Sequence, residues 1–573
     1  MKRSIFSIVV ALIVSFSVSA QEYLFPLLDV KGSYSASYGE IRSRRFHTGV
    51  DIRTDNVEGK AVVAIADGYV SRIALAPRGF GLALYVNHPK RGTMSVYAHL
   101  SQLRKDMAEY LLNDRYTHRV NSKNYYPTAE MFPVKAGDTI AYSGNSGSSF
   151  GPHLHFELRD LKSGHSLSPV KMGAVSPCDT IAPQILKLHY VLLDTLAGRV
   201  KSRIVSSHTA QLSGDEYILS DSVKVWGRGH FVLEATDSRN NSTNRFGLYG
   251  VRMAIDGEEC LDYRMEHLSF SDNRYCSAVS FYPLQRKAKC EVISLAKRAQ
   301  APAYLYRKAS EECLLSLGEG EQRDVCVEVE DECSNVSILR FRAYGTAYRQ
   351  LLLPTHEGDV VVVGGVEPTV IRGEGFTAVV PNNALYEAEY CCLQPQKAIA
   401  LKDTTIVVLS QFYRIFAEDS ALNKAVKVAI AASIPTELRK HVAVAAVGAG
   451  GWAGSLGGKF REDSVEVSLQ RGGNLVVVAD TIPPTITPRF ESGADMRGAS
   501  EMLFAVRDNF SGIRSYRLTI DGEWRTLDLQ PVRGVLIHRF DRPLKKGIER
   551  HSVRLEVTDN CGNRGVWRGE IIK

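Results

Sequence analysis

Cysteine is missing from residues 21–177: the ten cysteines all fall at or beyond position 178. No C-x-x-C pair occurs, which argues against a cysteine zinc knuckle. No H-E-x-x-H occurs either, so a metal site with a neighbouring helical glutamate as base is not on offer. After the first twenty residues no apolar run is long enough to cross a bilayer, and the stretch 441–457 is too short and too rich in glycine. Excess charge is lacking as well. A net charge of +7 spread over 573 residues does not argue for nucleic acid, though it is compatible with work near an anionic polymer. The segment GSLGGKF (454–460) imitates a phosphate loop only superficially, because its spacing fails and Phe460 follows the lysine.

What is present is an ordinary folded composition, 44% hydrophobic and 23% charged, on a chain too long for one core. The start MKRSIFSIVVALIVSFSVSA has Lys2 and Arg3, an apolar run over 5–16 and a small-residue site at Val18-Ser19-Ala20. It reads as a secretory signal peptide, residues 1–20. Gln21 follows, not cysteine, so lipid attachment there is not indicated. The mature chain is expected to be exported, with no transmembrane segment. Six cysteines cluster between Cys260 and Cys333, where an exported protein is most expected to form disulfides, in a pairing the spacing does not reveal.

Residues 27–176 alternate β-type runs with Gly and Asn, as in 61–75, 81–88 and 92–100. Between Leu103 and Val134 the alternation stops and MAEYLLND looks helical, so 104–133 reads as an insertion between strands. Further on, DTIAPQI (179–185) recurs as DTIPPTI (480–486). A second signature appears as LEATDSRNN (233–241), VEVEDECSN (327–335) and LEVTDNCGN (555–563), each a strand running into an Asp-initiated polar turn that ends in Asn. Repeats at domain-sized spacing imply sandwich-like modules. The expected layout is mainly β: a first domain over 21–178, β-sandwich (Ig-like) modules over 179–250, 251–347 and 480–573, and a β-rich module of unknown type over 348–479.

Histidines in suggestive company lie only in the first domain. FHTGVDIR (46–53) places His47 and Asp51 four apart, and Gly49 with its strand-like flanks argues for an extended or turning segment over a helix. VYAHL supplies His99, and GPHLHFELRD (151–160) supplies His153 and His155. On a strand, residues i and i+2 share a face, so His153 and His155 face together while Leu154 and Phe156 face a core. His88 is expected to be structural, and Tyr97, on the same strand face as His99, to pack. Arg44 and Arg45 read as a solvated basic face, and Gly144, Asn145, Gly147 and Gly151 as the turn leading into HLH. Zinc takes imidazole and carboxylate ligands, and a catalytic site keeps one position open for water. A base and an oxyanion donor must accompany it. His47, Asp51, His99, His153 and His155 can supply ligands and proton-transfer groups with none missing.

The segments FHTGVD, VYAHLS and SGNSGSSFGPHLHFELRD resemble the lysostaphin-type (M23, LytM-like) zinc endopeptidases in order and spacing, over roughly residues 40–170. The resemblance implies a small antiparallel β-sheet with an open groove. It implies Zn2+ held by His47, Asp51 and His155, and His99 and His153 flanking the reacting water as base and transition-state donor, with their division of labour open. It implies no further cofactor and, as partners, the peptides of bacterial peptidoglycan, met in the periplasm or cell envelope or after secretion. The insertion 104–133, absent from compact members, is a candidate wall or cover for the groove. Three functions are then in view. The first is a zinc endopeptidase cutting peptidoglycan cross-links or stem peptides. The second is a non-catalytic regulator of other wall hydrolases. The third is an assembly protein acting through its β-modules, which also offer surfaces for envelope partners. Retention of all five site residues favours the first.

Overall fold

The computed structural model describes residues 23–30, 32–42, 44–177, 179–196, 199–347, 359–362 and 367–573. The signal peptide, Cys178 and the residues just beyond the boundary near 347 lie outside the described residues. The chain is mainly β. Its longest described helix is Lys105–His118, and no described helix is long and apolar enough to cross a membrane.

The first domain is built on an antiparallel sheet in the order Tyr34–Ala36, Val50–Arg53, His153–Asp160, Thr93–Leu100, Leu82–His88, Gly68–Leu75, Lys123–Tyr125. The central strand HLHFELRD shows why: Leu154, Phe156 and Leu158 are wholly buried in the main core, whereas the alternate residues His153, His155, Glu157 and Arg159 line the opposite face. Register places His155 opposite Asp51 on one side and Ala98 on the other. Gly49 is required beside this strand, because a Cβ there would lie 2.3 Å from the Phe156 carbonyl oxygen.

The insertion becomes the helix Lys105–His118 followed by Lys123–Tyr125, which adds to the sheet edge beside Gly68–Leu75. The helix buries Met107, Leu111 and Arg115. Its C-terminal end docks on the last module of the chain. Arg115 donates to the Leu527 carbonyl and to Asp528 (2.8 Å), Tyr116 donates to Asp541 (2.6 Å), and Tyr116 meets the Trp524 ring edge-on.

The boundary expected near 250 does not separate two modules. Gly250–Ile255 pairs with Gln322–Glu330, and Gln184–Leu196 pairs with Arg228–Thr236. Arg199–Ser213 runs on from one set of strands to the other, so 184–345 forms one continuous assembly. Its pairing repeats in 485–572, where Thr485–Pro488 pairs with Glu501–Arg507, and Arg550–Asp559 pairs with both Ile513–Ile520 and Arg564–Ile572. The two copies of the Asp-turn signature at 237 and 331 thus mark two strand ends of one module. The 485–572 unit is a sandwich of two sheets around its own core, including Met502, Phe504, Leu518 and Leu555. Residues 367–479 hold two further five-stranded sheets.

The first domain shares one hydrophobic core with 184–345, and Ser166–Leu167 pairs with His267–Leu268 across the junction. The six cysteines from 260 to 333 are free thiols, contrary to the disulfides expected there. The pair that meets, Cys260 and Cys313, is joined by a thiol-to-carbonyl contact of 3.1 Å.

Candidate metal centre

Two strands and the segment before one of them converge on one point. His47 precedes the Val50–Arg53 strand, Asp51 lies on it, and His155 sits opposite on the central strand. His47 Nε2 is 3.0 Å from His155 Nδ1 and 3.2 Å from Asp51 Oδ1, and His155 Nδ1 is 2.9 Å from that same oxygen. All three residues are buried.

Neighbours fix which nitrogen of each ring is free. The Ser37 carbonyl accepts from His47 Nδ1 at 2.7 Å, so Nε2 carries the lone pair. The Glu157 carboxylate lies 3.1 Å from His155 Nε2, so Nδ1 is the nitrogen turned to the cluster. Two imidazole lone pairs and a carboxylate oxygen thus point at one another, an arrangement that repels itself unless a cation or a proton sits among them. Without a cation a proton takes the place. Burial disfavours the His155 cation, but hydrogen bonds to Asp51 and Glu157 outweigh it and push the imidazole up to about 9. Burial likewise opposes ionisation of Asp51, but the His47 and His155 rings hold its carboxyl well below the usual range.

His99 and His153 complete the constellation. The Ser146 carbonyl accepts from His99 Nδ1 and the Gly151 carbonyl from His153 Nδ1, each at 2.8 Å, so both rings turn Nε2 away from these anchors. His153 Nε2 is 3.6 Å from Asp51 Oδ1, and the two rings lie 4.8 Å apart. Burial, reinforced by His153 and His155, pushes His99 down to about 3, and burial also lowers His153. Both are neutral imidazoles at neutral pH, each with a bare nitrogen. His99 holds φ +60°, a left-handed conformation uncommon for a residue with a Cβ. The structure therefore brings together all five residues picked from the sequence. His88 lies elsewhere, buried and bonded to the Asp67 carbonyl and Ser95, and the Tyr97 hydroxyl accepts from the Ile65 amide within the core. Arg44 reaches Gln470 at 2.6 Å.

The supporting residues escaped sequence reasoning. Glu157, wholly buried, accepts from His155, from Thr48 Oγ1 and from Arg159 Nε (2.7 Å). Burial alone would raise its carboxyl, yet Arg159 and His155 bring it down to about 2. Arg42 donates to Asp51 Oδ2 at 3.0 Å, leaving Oδ1 to the histidines. Phe80 stacks on His155 at 5.0 Å between ring centroids. Glu157 had a signal: it continues the two-residue alternation of His153 and His155. Arg42 had none, because a turn folds it back.

Residues 45–111 match the model of peptidase family M23. The N-terminal domain is a member of that family. The match contains His47, Asp51 and His99 and stops before the M23 domain's central strand. An uncharacterized metalloprotease of Haemophilus influenzae is 32% identical over 126 residues, 22% of this chain and 21% of that protein. The DD-carboxypeptidase/endopeptidase Mpg of Neisseria meningitidis serogroup B is 29% identical over 133 residues, 23% of this chain and 24% of the relative. The chain thus spans under a quarter of the length of these relatives. Among solved structures, the catalytic domain of lysostaphin from Staphylococcus simulans is 24% identical, with 23% of this chain and 85% of that one covered and a TM-score of 0.18. Beyond the M23 domain, residues 366–480 match a Zu5-like domain, inside the span expected to be of unknown type apart from its last residue.

Proposed function

We propose that the chain is a zinc endopeptidase of bacterial peptidoglycan, exported to the envelope. The observation that carries this reading is the convergence of two imidazole lone pairs and one carboxylate oxygen, flanked by two neutral histidines with bare Nε2 atoms. The donor set fits zinc: two nitrogens and one oxygen, with room in the tetrahedron for a fourth ligand. His47 Nε2, Asp51 Oδ1 and His155 Nδ1 would hold the ion. Zinc would supply Lewis acidity, polarising the scissile carbonyl and acidifying a water.

The chain's own residues do the rest. Glu157 and the Ser37 carbonyl fix ring orientation and tautomer in His155 and His47. His99 and His153, neutral and anchored through Nδ1, would take a proton at one Nε2 and steady or protonate the substrate from the other. Phe80 covers His155 and keeps water from its ring face. The bond to be cut is an amide of a cross-link or stem peptide, with the direct D-alanine–diamino acid cross-link favoured by the insertion and the multi-module layout. The alternative, a non-catalytic regulator, fits poorly with five intact site residues.

The test is to incubate the mature, zinc-loaded chain with peptidoglycan, beside a chelated control, and to identify products by mass spectrometry. Chelator-sensitive loss of cross-linked dimers supports the endopeptidase and names the bond. Intact peptidoglycan with zinc bound moves the weight to a regulator.

A further inference from the structure

Two aspartate triads occupy equivalent places in the two repeated modules. Asp179, Asp237 and Asp331 bring ligand oxygens within 4.8 Å of one another, and so do Asp480, Asp508 and Asp559. Asp179 and Asp480 open the DTI-x-P segments that lead into the modules. Asp237 and Asp508 follow the second strand of each pairing pattern, and Asp331 and Asp559 follow or end the strand near each module's end. The accessory bonds repeat too. Asn335 Nδ2 donates to Asp331 and the Asp179 carbonyl, as Asn563 Nδ2 does to Asp559 and the Asp480 carbonyl.

One member of the first triad has no account within the protein. Asp237 is wholly buried, and neither carboxylate oxygen has a hydrogen-bond partner. Asp179 Oδ2 and Asp508 Oδ1 are buried and unpartnered as well. An ionised carboxylate stripped of water and set beside two others is strongly disfavoured unless a counter-charge is supplied. The nearby guanidinium of Arg239 gives Nη2 to Glu332 at 2.7 Å, and its buried Nε and Nη1 make no hydrogen bond to Asp237.

We propose that each triad binds one calcium ion, which clamps the segment entering a module to two strand ends of that module. The donors are oxygen only, which suits a hard cation and not the zinc of the M23 site. Three carboxylates drawn from separate segments suit the flexible coordination of calcium better than the near-ideal octahedron that magnesium demands. The ions would fix the entry segment behind the M23 domain and the one behind the Zu5-like domain, and so set how the catalytic domain is carried.

The test titrates calcium chloride into the chelator-stripped, full mature chain by calorimetry, with a thermal melt in parallel. Two ions per chain are expected, with Kd about 1 mM or tighter, and melting rises with calcium. Asp237→Asn and Asp508→Asn each reduce the count to one, and the double variant binds none. His155→Ala still binds two, which separates these sites from the zinc centre. Asp237→Asn in chelator melts at or above the wild type, because an unpaired buried carboxyl has gone. If Asp237→Asn does not fold, Asp179→Asn, outside any strand, gives the same count. No calcium bound at several millimolar, or two ions retained by the double variant, overturns the proposal.

Discussion

Glu157→Gln is the most informative single change. The side chain keeps its volume but loses one acceptor oxygen. In the wild type, Oε1 accepts from His155 Nε2 and Thr48, and Oε2 accepts from Arg159. A glutamine has one oxygen for these donors, and its amide group must face either Arg159 or the His155–Thr48 pair. Arg159 stays in place against the Phe270 ring, 4.0 Å away, so the competition falls on His155. With its Nε2 partner weakened, His155 loses basicity and orientation at Nδ1. Loss of such a partner costs about 10–100-fold in metal affinity, or about 1.4–2.7 kcal/mol. Zinc Kd is read by competition with a chromophoric chelator, and turnover at saturating zinc separately. The expected result is weaker zinc binding with turnover largely restored when zinc is in excess. A zinc Kd within about twofold of wild type would refute the role given to Glu157.

His155→Ala should abolish stoichiometric zinc and activity together, whereas His153→Ala should keep zinc and lose about a hundredfold or more in kcat; retained turnover in either variant sinks the assignment. Zinc binding should release close to one proton near neutral pH, because His155 is raised to about 9 and must give up its proton, and affinity should rise with pH towards that value. Calorimetry in buffers of different ionisation enthalpy measures the release, and a pH-independent affinity contradicts it. Glu291, buried and accepting from the Ile41 amide at 2.8 Å, is raised by burial from 4.5 to about 8. The stability it contributes is fully present below about 4.5 and is lost as pH rises through about 8, so Glu291→Gln should flatten that decline in denaturant midpoints between pH 5 and 9. Parallel curves for the two proteins would count against it. Arg115→Met should lower stability by roughly 1.5–3 kcal/mol by freeing the insertion helix from the last sandwich, seen as a lower urea midpoint; an unchanged midpoint would mean the contact contributes nothing.

His153 and His155 were legible as a pair because their relation is local in sequence, whereas His47, Asp51 and His99 lie in separate segments and were picked out by the resemblance of their motifs. Two-residue alternation on one strand forces His153 and His155 to a common face, and Gly49 marks a tight approach beside them. The helical character of 105–118 was legible for the same reason, in a short run that breaks the strand pattern. Module boundaries were less so. Similar Asp-turn signatures at 237 and 331 look like two modules in sequence, and only strand pairing shows that they end two strands of one module.

The sequence by itself determined the β character of the chain, the insertion, the repeat, and the identity and shared face of the histidines, since these follow from periodicity and side-chain chemistry along a few consecutive residues. Tertiary structure alone decided the partners of those residues. Glu157 against His155, Arg42 against Asp51, Glu291 against the Ile41 amide, Arg115 against Asp528 and the union of Asp179, Asp237 and Asp331 are all set by the folded structure, three of the five across positions far apart in the chain. Burial then sets their charge states, because the cost of removing water depends on the whole surrounding core and not on neighbours in sequence.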